Sequence, residues 1–254
     1  VTDQADIDAL RDTPIPSAQM LIDGAAVGSE DGATLDVIGP ADGLVLTTVP
    51  AATKADTERA IAAARRAFEA GHWSQMAPGA RKKIMLKWAD LMEAEALSLA
   101  VLGVRDIGTE ISMALKAELG SAIATLRFYA EAIDMLYGEI APTEAGVLGL
   151  IHREPVGVVA AILPWNFPLM SGAWKLGPAL AAGNSVVIKP SETASLSLLR
   201  MVELAHEAGL PPGVLNVVTG HGAVVGETLS HSMDADVLAF TGSGATGRRR
   251  LAAS

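Results

Sequence analysis

The sequence predicts an α/β protein with a doubly wound parallel sheet, and three observations carry that prediction. Val158 to Leu163 is an apolar run stopped by Pro164, and Ser185 to Ile188 is a second one stopped at Pro190. The Gly/Ala-rich stretch between them is long enough to hold a crossover helix, so the two strands should be parallel and covered on both faces. Beyond them the chain alternates helix, strand, short helix, strand, which is the order such sheets require.

From the amino terminus, a polar segment precedes Met20 to Ile22, read as a short strand turning at Asp23-Gly24. Val37 to Thr48 is broken by Gly39-Pro40 and Asp42-Gly43, which predicts a hairpin. Three helices are expected next. Thr53 can cap the first, which runs to Ala70 and stops at Gly71. The second follows Pro78 and sets Ile84, Trp88 and Leu91 on one face; the third places Leu126, Tyr129, Ala130, Ile133 and Tyr137 at the same spacing before Gly138. These stripes read as core, not as a cofactor box. Residues 138–155 are rich in Gly and Pro and contain the strand Val147 to Arg153, so a protruding hairpin is expected there. A helix near Ser195 to Ala208 closes at Gly209 and Pro211. The strand Val214 to Thr219, a helix near Ala223 to Ser230 and the strand Val237 to Phe240 follow. The chain stops inside what should be the helix after Gly242, so the sheet is expected to be incomplete at the carboxyl end and the chain truncated.

Composition narrows the function. Half of the 254 residues are hydrophobic, mean hydropathy is +0.34 and 19% are charged, enough to bury a sizeable core. Net charge is -10, with no basic run before Arg248-Arg249-Arg250, which argues against a nucleic-acid surface. There is no cysteine, so disulfides, thiolate metal sites and a cysteine nucleophile are absent from these residues. His72, His152, His206, His221 and His231 show no metal-ligand spacing and read as surface residues. The uncharged run Pro155 to Trp174 reaches membrane-span length, but Pro164, Asn166 and Pro168 break it, so no membrane partner is expected. Acidic residues 1–12 do not resemble a signal peptide, which predicts a cytoplasmic protein.

Ligands of open α/β sheets bind outside the carboxyl ends of the strands. Here those ends carry Trp165-Asn166, Lys189-Pro-Ser191-Glu192 and Phe240-Thr241-Gly242-Ser243. Gly242 to Gly247 fits G-x-G-x-x-G after a strand and before a helix, where backbone N–H groups and the helix dipole can receive a phosphate. Gly220-His-Gly222, with Gly226, is a second glycine-rich site, readable as a ligand approach or as a tight strand-to-helix turn. Asn166 can donate from a fixed amide to a developing oxyanion, or can be a plain turn residue. Glu192 can accept from ribose hydroxyls, or can sit at the start of the next helix for its dipole.

Pro164-Trp-Asn-Phe-Pro168, Trp174-Lys-Leu-Gly-Pro-Ala-Leu-Ala-Ala-Gly-Asn184, Lys189-Pro-Ser-Glu192 and Phe240-Thr-Gly-Ser243 also resemble, in order and spacing, the aldehyde dehydrogenases. The resemblance runs from about Met20 to Gly247 and covers the amino-terminal half of such an enzyme. It implies a Rossmann-like cofactor-binding domain made of residues 1–137 and 156–254, an oligomerisation hairpin at 138–155 and a catalytic domain outside this chain. NAD is the implied cofactor, with NADP also accommodated. Its contacts would be Ile162, Leu163, Pro164, Trp165, Lys189, Ser191, Glu192, Gly222, Gly226, Phe240, Thr241, Gly242, Ser243 and Gly247. Asn166 would be the catalytic residue present, and no metal is implied. Phe167, Met170, Ser171 and Trp174 would line a substrate channel, or simply pack. The nucleophile would be a cysteine and the base a glutamate, both beyond this chain. The matches lean toward enzymes of amino-aldehydes that form homo-oligomers. A non-catalytic nucleotide-binding or assembly module is the alternative.

Overall fold

A computed structural model describes residues 3–253. The α/β expectation holds, with a mixed sheet in place of a purely parallel one. Six strands run in the order β10 (Val237–Phe240), β7 (Val158–Ile162), β8 (Ser185–Lys189), β9 (Leu215–Val217), β1 (Met20–Ile22) and β2 (Ala25–Val27). The first four are parallel, whereas β1 pairs antiparallel with both β9 and β2. The two-strand ribbon β1–β2 extends the parallel set because Asp23-Gly24 turns the chain at once. Asp23 adopts φ 55 and Gly24 φ 76, and the Asp23 N–H donates to Asn216 Oδ1 at 2.9 Å.

Every residue of β7 and β8 is buried, as their unbroken apolar runs require. One face (Val159, Ala161, Val186, Ile188) packs under α7 (Pro168–Ala181) and α8 (Leu196–Ala208). The opposite face (Val158, Ala160, Val187) packs on α2 (Lys54–Glu69) and α9 (Glu227–His231). Thr53 caps α2 as predicted, and Asp56 completes a capping box by accepting the Thr53 N–H at 2.9 Å. Gly209 closes α8 in a left-handed conformation.

A layer of helices covers α7 and α8: α3 (Pro78–Ala94), α4 (Ala96–Ile107), α5 (Ile111–Met113) running into a π-helical turn Ala114–Leu119, and α6 (Gly120–Ala132). Two indoles join this layer to the sheet helices, Trp73 Nε1 donating to Leu180 O and Trp88 Nε1 to Met201 O, each at 2.9 Å. The second and third predicted helices are therefore present. The helix α4 and the 111–119 segment were not expected, and neither was α1 (Gln4–Asp12), which the sequence presented as a polar segment. The predicted core stripe ends at Ile133, because the chain leaves the helix there and Tyr137 is 73% exposed.

The hairpin expected between Val37 and Thr48 is β3 (Thr34–Ile38) with β4 (Val45–Pro50). The second hairpin is β5 (Glu139–Ala141) with β6 (Gly149–Ile151), shorter than the Val147 to Arg153 strand predicted, and it forms a separate two-stranded sheet. Residues 244–253 form α10, the helix expected after Gly242. No helix among the described residues is long and apolar enough to cross a membrane.

Gly157 shows how tightly the entry to β7 is specified. Its φ is 129, and a Cβ there would lie 1.9 Å from Asp236 Oδ2, the atom that accepts the Val158 N–H at 2.7 Å and pairs with Arg65 at 2.6 Å. Gly157→Ala should therefore destabilise the chain by about 2–4 kcal/mol in denaturant unfolding. A loss below about 0.5 kcal/mol would show that the entry turn relaxes freely.

Candidate functional site

Strand register decides what meets at the carboxyl edge of the sheet. Phe240 is paired with Ile162 and Ile162 with Lys189, so β10, β7 and β8 end in one row. Chain neighbours in the parallel set diverge here, since the return of β10 to the far side of β7 leaves a crevice between their ends. A cleft of about 540 Å3 occupies it, lined by Leu163, Pro164, Trp165, Asn166, Phe240, Thr241, Gly242, Ser243 and Thr246. Two motifs nearly eighty residues apart in the chain thus share one wall.

Asn166 stands at the mouth of this cleft, exposed, just before the first turn of α7. No described residue holds its side-chain amide by a hydrogen bond, so the local turn contact that would explain an asparagine here is absent. The loop is anchored from behind instead. Glu118, buried on the π-helical turn, accepts the Leu169 N–H at 3.0 Å and supplies the cap that α7 lacks locally. Burial pushes the Glu118 carboxyl up to about 7, against the pull of that N–H.

The same device recurs on α8. Asp106, 2% exposed at the end of α4, accepts the Leu196 N–H at 2.8 Å. Burial raises its carboxyl to about 7, opposed by the amides of Leu196, Ser195 and Ser197 and reinforced by the charge of Glu118. No sequence signal marked either carboxylate, because α4 and the π-helical turn were themselves not recognised.

Glu192 does not cap α8, since the Leu196 N–H goes to Asp106. Glu192 turns to Lys189, whose Nζ is 3.2 Å from Oε2 and also donates to Pro190 O at 2.8 Å. Lys189 is buried, so it is not the solvated strand-end charge its position allowed. Burial lowers its ammonium, and the charge and hydrogen bond of Glu192 work against that shift. Burial would raise Glu192, but Lys189 together with backbone N–H groups, that of Gly222 included, holds the carboxyl below its usual range. The Gly222 amide therefore brings the second glycine-rich site to the Glu192 carboxylate.

The two readings of that glycine-rich site divide between its members. Gly220 is a packing glycine: its φ is 140, and a Cβ would meet Val225 Cγ2 at 2.8 Å and the Ala52 backbone N at 3.1 Å. Gly222 faces open space, and Gly226 is buried in the turn that leads to α9. In the first glycine motif, Gly242 lies against the Phe240 ring, 2.5 Å from where its Cβ would be, and Gly247 touches the same ring. Ser243 Oγ accepts the Thr246 N–H at 3.3 Å and so stands at the start of α10.

The remaining candidates sort by exposure. Ile162 and Leu163 are buried and reach the edge through their backbone: Ile162 O accepts the Thr241 N–H at 3.1 Å, and the Leu163 N–H donates to Lys189 O at 2.9 Å. Ser191 is half-buried and its hydroxyl is 3.0 Å from that of Thr193. Phe167 and Met170 are half-buried and Trp174 is exposed, leaving an open face on the first turns of α7, whereas Ser171 is buried and packs. Lys175 was not singled out, yet its Nζ donates to Thr241 Oγ1 at 2.7 Å, tying α7 to the end of β10. Burial lowers that ammonium. His206 is not a plain surface residue, since its Nε2 lies 3.0 Å from Leu215 O. No cluster among the described residues could hold a metal ion.

The sequence pattern of the aldehyde dehydrogenase family matches residues 27–254. The NADP/NAD-dependent aldehyde dehydrogenase PuuC of Escherichia coli (strain K12) is 48% identical over 92% of this chain and 47% of its own length. The aminoacetaldehyde dehydrogenase of Pseudomonas aeruginosa is 47% identical over 89% of the chain and 46% of its own length. The structure of an indole-3-acetaldehyde dehydrogenase complexed with NAD+ superposes with a TM-score of 0.97 at 44% identity, covering 100% of this chain and 51% of that one. The chain thus spans about half the length of the curated relatives it matches.

The capping carboxylate sets a pH dependence. Glu118 titrates near 7 when folded and near 4.5 otherwise, so the folded state holds the extra proton between those values. The resulting stability is complete below about pH 4.5 and is lost as pH rises toward 7. In Glu118→Gln the Glu118 share of that decline, up to about 3 kcal/mol, should disappear while the share of Asp106 stays and the Leu169 N–H keeps an acceptor. Glu118→Ala, which removes the acceptor, should cost about 1–3 kcal/mol at pH 5. Unfolding curves for parent and variants across this range test both; parallel pH profiles would remove Glu118 as the titrating group.

Proposed function

Because the chain belongs to the aldehyde dehydrogenase family, we propose that it is the cofactor-binding half of an enzyme that oxidises an aldehyde to a carboxylic acid with NAD+. The observation that supports this reading is the single row in which β10, β7 and β8 end: Asn166 and Ser243 line the cleft between β7 and β10, and Glu192 follows the end of β8 next to it. In this view the sheet is a Rossmann-like doubly wound unit, with residues 1–137 and 156–254 as the cofactor-binding domain and β7/β10 as its switch point. The likeness to an aminoacetaldehyde dehydrogenase supports an amino-aldehyde as substrate.

The residues present suit a dinucleotide. Gly222 leaves open space beside the Glu192 carboxylate, and the first turn of α10 holds no acid to repel a phosphate. Glu192 would accept hydrogen bonds from the adenine-ribose hydroxyls, with Lys189 beside it, and Ser243 would meet the phosphates. Bound there, NAD+ supplies the hydride acceptor. Asn166 would donate its free side-chain amide to the oxyanion that forms when a thiolate adds to the aldehyde carbonyl. The 254 residues contain no cysteine, so thiolate and water-activating base are assigned to the part of the protein outside them.

Residues 138–155 are proposed as an oligomerisation element of a cytoplasmic homo-oligomer. Ile140 and Leu150 on this small sheet, with Val147 and Leu148 in its loop, are exposed, a surface that suits another strand or subunit better than water.

In an enzyme of the relatives' full length carrying these residues, Asn166→Ala should lower turnover by about a hundredfold or more and leave NAD+ affinity nearly unchanged. Turnover within about twofold of the parent would return Asn166 to a turn role. In the 254-residue chain itself, Glu192→Gln should shift the ratio of NAD+ to NADP+ affinity toward NADP+, because a 2′-phosphate brings about -1.5 to -2 charges beside the carboxylate. Calorimetric titration of both nucleotides gives the ratio; an unmoved ratio would take Glu192 out of the site.

A further inference from the structure

We propose that His221 is a specificity-determining residue of the nucleotide site, its charge deciding how well a 2′-phosphate is tolerated beside Glu192. The inference rests on the assignment of Glu192 as the ribose partner. His221 occupies the turn between β9 and the π-helical turn Gly222–Gly226. Its backbone is held on one side by Gly220, packed against Val225 and Ala52, and on the other by its own carbonyl, which accepts the N–H groups of Val224 and Val225 at 3.0 Å each. From this anchored position the exposed imidazole places Nδ1 3.8 Å from Glu192 Oε1, while Glu192 Oε2 faces Lys189 Nζ at 3.2 Å. One carboxylate thus lies between two nitrogens of different character. Lys189 is buried and bonded to both Glu192 and Pro190 O, whereas His221 is open to solvent and to whatever lies on the ribose side.

Charge arithmetic gives the consequence. Lys189 and Glu192 together are neutral, so with an uncharged imidazole a 2′-phosphate meets the carboxylate with its compensating cation held behind it. An imidazolium adds a positive charge on the exposed side, where a phosphate gains most from it. Imidazole side chains make that change between pH 5 and 8. Charges on the elements packed nearby are engaged elsewhere: Lys54 with Glu58, Asp56 with Arg59, and Glu227 with His231. Among the described residues, Glu192 is the charged group within ion-pair distance of His221.

The test uses the 254-residue chain and calorimetric titration of NAD+ and NADP+ from about pH 8 to about pH 5.5. The affinity ratio of NADP+ to NAD+ should rise about two- to fivefold more in the parent than in His221→Gln. His221→Lys should hold the raised ratio throughout. The ionisation of the free nucleotide's phosphate near pH 6 is common to all three proteins, so their difference reports the side chain at 221. If His221→Gln follows the parent while Glu192→Gln shifts the ratio, the inference falls and the cofactor assignment stands. If Glu192→Gln leaves the ratio unmoved, or neither nucleotide binds, the cofactor assignment falls and takes the inference with it.

Discussion

The burial of β7 and β8 on both faces is the constraint from which the rest of the molecule follows. With helices above and below, every side chain of these strands is withdrawn from water, and the polar ones, Ser185 and Lys189, stand at the two ends of β8. Polar chemistry can then exist only where the backbone leaves the sheet, because a polar group within the layers would cost free energy for want of partners. Phe240, Ile162 and Lys189 end in register, so three separate stretches of chain deliver their polar residues to one edge. The position of the candidate site is a consequence of packing before it is a consequence of chemistry.

Holding that edge still requires carboxyl groups in unusual places. The helices α7 and α8 begin directly after the strand-end loops and have no side-chain cap of their own. Glu118 and Asp106 reach in from the outer helical layer to accept the buried first-turn amides of Leu169 and Leu196. Both are buried and both have carboxyls pushed up to about 7, so each cap is weakened by the desolvation that makes it rigid. The π-helical turn that carries Glu118 is the local irregularity that lets an outer helix aim a carboxylate at α7.

At the second strand end the balance is different. Lys189 is buried but retains a carboxylate partner and a carbonyl, which meets the condition for keeping a charge away from water. Glu192 is shared between that cation, a backbone amide and the open side facing His221. A carboxylate held ionised by protein groups, with one side left open, is suited to accepting hydroxyl donors. The same openness makes its neighbour on the exposed side matter.

The sequence by itself determined the parallel pair and its flanking elements, because β-branched runs, prolines and capping residues act over a few positions. Thr53 capped the helix it was expected to cap and Gly209 closed α8, while Asn166, Glu192 and Ser243 stood out as candidates from local pattern. It could not show that β1 runs antiparallel beside β9, since strand direction depends on a contact with residues nearly two hundred positions away. Helix α4 and the 111–119 segment escaped notice because their buried positions face helices instead of a sheet and lack a cap at the start. Only the tertiary structure decided that Asp106, not Glu192, caps α8, that Lys189 is buried, and that Lys175 meets Thr241. Each of those facts is a long-range contact, fixed by how layers stack and not by what the neighbouring residues prefer.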